Sequence, residues 1–306
     1  MPNNNSLNSE LLASLFTQLA RLEKSGIPSS QALALVNTKN KSLNLQLKVM
    51  QNKLRTGYSI ARAGFDAGIF NRIHKALIEA GESSGQLAAI YQQQANYYTK
   101  KSKCLKKIKS QLYLPILVLL LALLIKPIPP LITGAINLGY YLRISIGTFL
   151  LIGLLCWLAY QLTLWFKPLL HQLQLQPPKI STWIIKRQVN EFLFILALLL
   201  EGGLVASEAL ELAADSIKNS VLKKRFKIEI RMSQAGNSVT DTLSTIDEIP
   251  PTARQTAHTG EISGKLASAL LHYSRHQGEL IDIDNDSLAK WIPRWFYAAV
   301  VLGAIV

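Results

Sequence analysis

The sequence is short of acids, of cysteine and of any loop that handles phosphate. Asp and Glu number 19 against 33 Lys and Arg, which leaves a net charge of +14. An imbalance of that size excludes an acidic, solvating chain and favours anionic neighbours. Only two cysteines occur. Cys104 lies in a lysine-rich stretch and Cys156 in a long uncharged run, so neither has a disulfide partner and a disulfide-stapled secreted scaffold is excluded. No G-x-x-x-x-G-K loop is present, which argues against ATP hydrolysis by the chain itself. No alternating strand pattern bounded by hairpin residues occurs, which argues against a β-rich fold. The opening MPNNNSLNSE has neither a basic flank nor an apolar core, so no cleavable signal is read there and the chain is expected to start in the cytoplasm.

What is abundant is apolar sequence. Of 306 residues, 49% are hydrophobic and 17% charged, and the mean hydropathy is +0.20, too apolar for an ordinary soluble protein. The run 144–166, ISIGTFLLIGLLCWLAYQLTLWF, carries no charge and at about 1.5 Å per residue crosses a hydrocarbon core of roughly 30 Å. A second uncharged run, 110–125, ends at Lys126, whose long side chain can snorkel to the interface. A third apolar stretch, Trp295 to Val306, follows Pro293 and Arg294 and ends with the chain; it is expected to be an incomplete span.

Charge gives the orientation. Residues 1–110 carry +11, residues 111–166 carry +2 and residues 167–306 carry +1. Lys100, Lys101, Lys103, Lys106, Lys107 and Lys109 stand directly before the first apolar run, whereas only Lys126 and Arg143 lie between the two runs. By the positive-inside tendency the first 110 residues face the cytoplasm, the connection lies outside, and the chain from Lys167 returns inside. The lysine run reads as a topology signal in contact with lipid headgroups. Its bases are not interleaved with stacking aromatics, so no nucleic acid is expected as a partner.

The two cytoplasmic parts repeat one another. LARLEKSGIPSSQALAL (19–35) matches LALLLEGGLVASEALEL (196–212) at a shift of 177, pairing Leu19 with Leu196, Gly26 with Gly203, Ala32 with Ala209 and Leu33 with Leu210. At a shift of 179, Gly57 and Ser59 match Gly236 and Ser238, and AGESSGQL (80–87) matches TGEISGKL (259–266). Ordered landmarks with one small insertion indicate duplication. Apolar residues at three- and four-residue spacing, with Ser25-Gly26 closing one helix and Pro28 opening the next, predict a small helical bundle for each copy; Val205 replaces Pro28 in the second.

The repeated Gly-Glu-x-Ser-Gly segment reads as a rigid corner. Gly81 and Gly260 are assigned positive φ at a helix end, Ser83, Ser84 and Ser263 the cap of the next helix, and Gly85 and Gly264 a close backbone approach. Glu82 and Glu261 are not demanded by the corner, and three roles fit them: binding backbone amides at a helix start, pairing with a base, or facing a partner. No second acid, histidine base or nucleophile recurs beside them, so a catalytic role is not assigned. DIDND (282–286) lacks the turn glycine and closing glutamate of a calcium loop. His272 and His276 sit one helical turn apart, but the first copy has Gln93 and Tyr97 there and no third ligand is evident, so no metal or cofactor is expected.

These residues, namely the duplicated unit with SGIP or GGLV in its first turn, the G-x-S step, the Gly-Glu-x-Ser-Gly corner and a basic segment running into a proline-bearing span, resemble the type II secretion F domain. That domain is the signature of inner-membrane platform proteins of type IV pilus and type II secretion machines. The resemblance covers about residues 11–306. It implies an all-α, multi-pass protein of the bacterial inner membrane with both large domains cytoplasmic. It implies a non-enzymatic scaffold that contacts a hexameric assembly ATPase, pilin or pseudopilin subunits, other inner-membrane assembly proteins and further copies of itself. The organisation expected is a first cytoplasmic copy at 8–109, a span at 110–126, a short external connection at 127–143, a span at 144–166, a second copy at 185–290 and a third span at 292–306.

The chain departs from the family pattern where Leu114 precedes Pro115, where Ile292 precedes Pro293, and where the first repeat begins almost at once, which suggests a divergent, streamlined member. A transporter or channel is the competing reading. It expects repeats inside the membrane and an intramembrane charge, whereas here the repeats lie outside the spans and the run 144–166 is uncharged.

Overall fold

The structure is a computed structural model that describes residues 7–36, 38–125, scattered positions between 128 and 161, 178–233 and 238–284. Among the described residues all regular structure is helical. The first copy comprises α1 (Ser9–Lys24), α2 (Ser29–Leu35), α3 (Lys41–Arg55), α4 (Ile60–Asp66), α5 (Arg72–Ser84) and α6 (Leu87–Ile125). The second comprises α7 (Pro178–Glu201), α8 (Ala206–Ala214), α9 (Ser220–Ser233), α10 (Val239–Thr245), α11 (Pro251–Ile262) and a helix over 266–284, here α12.

The order repeats because the start and stop signals repeat. Asn40 caps α3 by accepting from the Leu43 amide at 3.0 Å, and Asn219 caps α9 from the Leu222 amide at 3.1 Å, 179 residues on. Ser59 and Ser238 cap α4 and α10 in the same way. Pro28 sits one residue earlier than the first turn assigned to it, as the N-cap of α2; Val205 holds the same place before α8 with nearly the same backbone angles. Gly236 lies outside the described residues.

Each copy has its own core. In the first, Phe16 packs among Phe70, His74, Tyr91 and Tyr98 with ring centroids 5.3 to 6.2 Å apart, and Leu43, Leu47 and Met50 of α3 complete it. In the second, Phe192 meets Phe226 edge to face at 5.1 Å, among Leu196, Leu210, Leu243 and Leu270. Leu77 of α5 and Ile90 of α6 belong to that second core, so the two copies share apolar surface. Met1–Lys103 and Pro178–Glu279 accordingly make one compact unit. The remainder, Cys104–Pro177 with Leu280–Val306, makes another, of which little beyond the C-terminal part of α6 is described.

Among the described residues no helix is long and apolar enough to cross a membrane. The runs expected to span at 144–166 and 292–306 lie mostly or wholly outside the described residues. The run 110–125 forms the end of α6, where most side chains are outside them too.

Candidate functional site

The repeated corner closes α5 and α11, and its residues divide the work differently from the expectation. Gly81 and Gly260 lie inside their helices and are buried, not at the ends with positive φ. A Cβ at Gly260 would stand 2.8 Å from the Cβ of Ala269 and 3.0 Å from Cα of Leu266; at Gly81 it would stand 3.1 Å from Cγ1 of Ile90. Absence of a side chain there lets the next helix cross closely. Gly85 and Gly264 take the left-handed conformation, each with φ of +68°, and a Cβ on either would meet nothing within 4 Å. Each helix ends in the same reverse bond: the Gln86 amide donates to the Gly81 carbonyl at 2.9 Å and the Lys265 amide to the Gly260 carbonyl at 2.7 Å. Close approach and positive φ have thus exchanged places between the two glycines of the motif.

The serines do not cap the following helices. Ser83 and Ser84 donate back to the carbonyls of Glu79 and Ala80 at 2.9 and 2.8 Å, and Ser263 to that of Thr259 at 2.9 Å. The glutamates reach across to another helix start. Glu82 accepts from the Ile60 amide at 2.7 Å and the Ala61 amide at 3.1 Å, at the N-terminus of α4. Glu261 accepts from the Thr240 amide at 3.3 Å, at the N-terminus of α10. A carboxylate in that place satisfies amides left over by the first turn and complements the helix dipole. The corner therefore ties the fifth helix of each copy to the fourth.

A second polar constellation joins the copies. Glu191 of α7 accepts hydrogen bonds from the Tyr97 hydroxyl and from Lys101, the latter at 2.9 Å, and Lys101 also donates to the Tyr97 hydroxyl at 2.8 Å. Tyr97 stacks on Phe194 at 5.5 Å, and Gln93 donates to Glu201 at 3.1 Å. Burial alone would raise the Glu191 carboxyl, but Lys101, Lys218 and the hydrogen bonds from Tyr97 and Lys101 hold it below its ordinary range. Burial and then the Glu191 charge push the Tyr97 phenol well above its ordinary value. Burial lowers Lys218, with the attraction of Glu191 working against it.

Beside this network, His74 is 3% exposed. Its Nδ1 accepts from the Asn71 amide at 3.3 Å, which places the proton of the neutral ring on Nε2, facing the Tyr98 hydroxyl at 2.7 Å. Burial, and secondly the positive Lys101, push it down to about 3.

Lys101, expected with the other lysines at the membrane surface, is here a contact between copies. Lys100, Lys103, Lys106, Lys107 and Lys109 are exposed on α6. His272 and His276 are exposed on α12, and among the described residues no group of three or more His, Cys, Asp or Glu could hold a metal ion. Sequence reasoning missed the Glu191 network. Its one signal is an acid in an otherwise apolar stretch, EFLFILALLLE, but its partners lie 90 and 94 residues earlier and do not recur in the other copy.

A family model described as type II secretion system (T2SS), protein F, matches residues 15–129 and again 192–306. The type II secretion system protein F of Pseudomonas aeruginosa is 25% identical over 312 residues, covering 93% of this chain and 75% of that protein. The type IV pilus assembly protein PilC of Thermus thermophilus is 27% identical over 326 residues, covering 96% and 80%. The protein transport protein HofC homolog of Escherichia coli is 24% identical over 304 residues, covering 90% and 76%.

Proposed function

Because the chain belongs to the type II secretion system protein F family, with both halves matched, we propose that it is an inner-membrane platform that couples a cytoplasmic assembly ATPase to the insertion of pilin or pseudopilin subunits. The observation that carries this reading is the double match, at ranges displaced by the same 177 residues as the internal repeat. Relatives named for type II secretion, for type IV pilus assembly and for protein transport support a role in such a machine.

The chain acts in this reading without catalysing a reaction. The corner glutamates are engaged with backbone amides, and Glu191 is held by Tyr97 and Lys101, which suits a scaffold better than acid-base chemistry. The copies at 8–109 and 185–290 are cytoplasmic, and the spans are 110–126, 144–166 and 292–306. A compact unit made of both copies can pass a force applied to one directly to the other.

Two experiments test the reading. A reporter active only outside the cytoplasm should give signal when fused near Asn137 and none near Ser42 or Asn219; signal at Asn219 overturns the topology. Deleting the chain should abolish surface fibres or secretion in its host, with recovery on return of the full chain. Unchanged piliation and secretion overturn the function.

A further inference from the structure

The third helix of the first copy turns a row of unmatched charge to solvent. Leu43, Leu47 and Met50 bury one side of α3. On the other side Lys41, Leu45, Lys48, Val49, Asn52 and Arg55 are all exposed, with Leu45 66% and Val49 46% accessible. Lys41, Lys48 and Arg55 recur every seven residues, two helical turns or about 10.5 Å. Leu45, Val49 and Asn52 follow the alternating four- and three-residue steps of a coiled-coil seam, with the bases along its flank. The helix itself contains no acid, and among the described residues none pairs with Lys41, Lys48 or Arg55; the one ion pair of α3 is Lys53 with Asp66.

The second copy supplies the control. On α9, Lys223 and Lys227 share Asp215 at 2.9 and 2.8 Å, Arg225 meets Glu248 at 3.2 Å and Arg231 meets Glu211 at 3.5 Å. At the places of Glu211 and Glu248 the first copy has Ala34 and Ile69. Four of the bases on this helix are thus paired from within in the second copy, whereas Lys41, Lys48 and Arg55 of the first are not.

We propose that the exposed face of α3 docks an acidic amphipathic helix of a partner protein. Aliphatic side chains of that helix cover Leu45 and Val49, and carboxylates at seven-residue spacing meet Lys41, Lys48 and Arg55. Two aliphatic residues without an aromatic are too little apolar surface to hold a helix in a bilayer interface, whereas flanking charges of one sign are what selects a coiled-coil partner. The inference goes beyond the platform reading and does not depend on which machine the chain serves.

The test uses the full chain in nanodiscs of zwitterionic lipid and a fluorescent synthetic helix of about three heptads, with Leu along its seam and Glu on both flanks. Binding should weaken as salt is raised. Lys48→Glu should weaken it by roughly tenfold, and a peptide with Lys in place of the facing Glu should restore it. Lys224→Glu on α9 should leave it unchanged. Absence of binding, or equal loss from Lys48→Glu and Lys224→Glu, overturns the proposal. So does burial of a probe at Leu45 in anionic nanodiscs that the peptide cannot displace, since the face would then be a membrane contact.

Discussion

The side that the first copy gives to the second is apolar with buried charge, and the equivalent sides facing outward are polar. Ala80 packs where a Cβ on Gly202 would stand 3.1 Å away, Leu77 enters the second core, and Tyr97 and Lys101 hold Glu191. At a shift of 179 the second copy offers Thr256 for Leu77, Thr259 for Ala80, His272 for Gln93 and His276 for Tyr97. At a shift of 177 the first copy offers Ser14 for Glu191, Arg21 for Leu198 and Ser25 for Gly202. A repeat that stacks by a head-to-tail contact continues into a filament unless its outer faces are altered. Here both outer faces carry polar residues at these positions, so neither reproduces the contact that joins the two copies.

The largest expected effect breaks that junction. Lys101→Met leaves Glu191 without its hydrogen-bonded cation and with Lys218 as its remaining positive neighbour; removing one partner of a buried pair costs about 3–5 kcal/mol, and because Lys101 is 21% exposed the loss should be nearer 2–3 kcal/mol. Ser14→Ala and His276→Ala, at the equivalent outer positions, should change stability by less than about 0.5 kcal/mol. Denaturant unfolding of the purified chain measures all three. Pairing Lys101→Met with Glu191→Leu should recover only part of the loss, since the Lys218 ammonium then loses the attraction of Glu191.

Between pH 7.5 and 5.5 acid should act through the first copy. Unfolded His74 takes up a proton near 6.5 and the folded residue only near about 3, so over that window the unfolded state binds more protons. Stability is full above pH 6.5 and is lost as pH falls toward 3, by about 1.4 kcal/mol between pH 7.5 and 5.5. The second copy has Ala253 at that place and lacks this slope; its depressed carboxyls, Glu191 and Asp215, respond only when pH falls into the carboxylate range. His74→Gln should flatten the dependence in this window; a slope that persists would locate the proton elsewhere.

The repeat and the helical bundle in each copy were legible because they rest on local landmarks that occur twice: Gly26 and Gly203, Ser59 and Ser238, the two corners. The caps formed by Asn40 and Asn219 were not read from the sequence. Nor were the roles within the corner. A glycine that admits a neighbouring helix and one that bends the chain look the same in sequence, and only the course of α5 through Ser83 and Ser84 to the left-handed Gly85 tells them apart. Glu191 was hidden for the opposite reason, since it serves a contact between copies and has no counterpart within either.

The tightness of the two corners can be compared directly. Gly260→Ala forces a Cβ against backbone at Leu266 and against Ala269, while Gly81→Ala meets chiefly the movable Ile90 side chain. Overpacking costs about 1–3 kcal/mol, and replacing an internal helical glycine by alanine returns up to about 1 kcal/mol. Gly260→Ala should therefore destabilise by about 1 kcal/mol and Gly81→Ala should be near neutral. Equal losses would mean that the second corner is no tighter than the first.

The smallest difference lies in the glutamates. In the second copy Asp241 completes a capping box, accepting from the Ser238 amide at 3.2 Å, so Glu261 adds to a start that is already satisfied. In the first copy the same position is Arg62, and Glu82 alone supplies the carboxylate, on two amides instead of one. Glutamine keeps one acceptor and the shape but removes the charge, which at a helix start is worth about 0.3–1 kcal/mol. Glu82→Gln should lie at the upper end of that range and Glu261→Gln at the lower, resolved by paired melts of the two variants. If both leave stability untouched yet abolish fibre assembly or secretion, the carboxylates answer to a partner and not to the helices beneath them. If the order of the two losses is reversed, Asp241 does not relieve Glu261 and the two caps are independent.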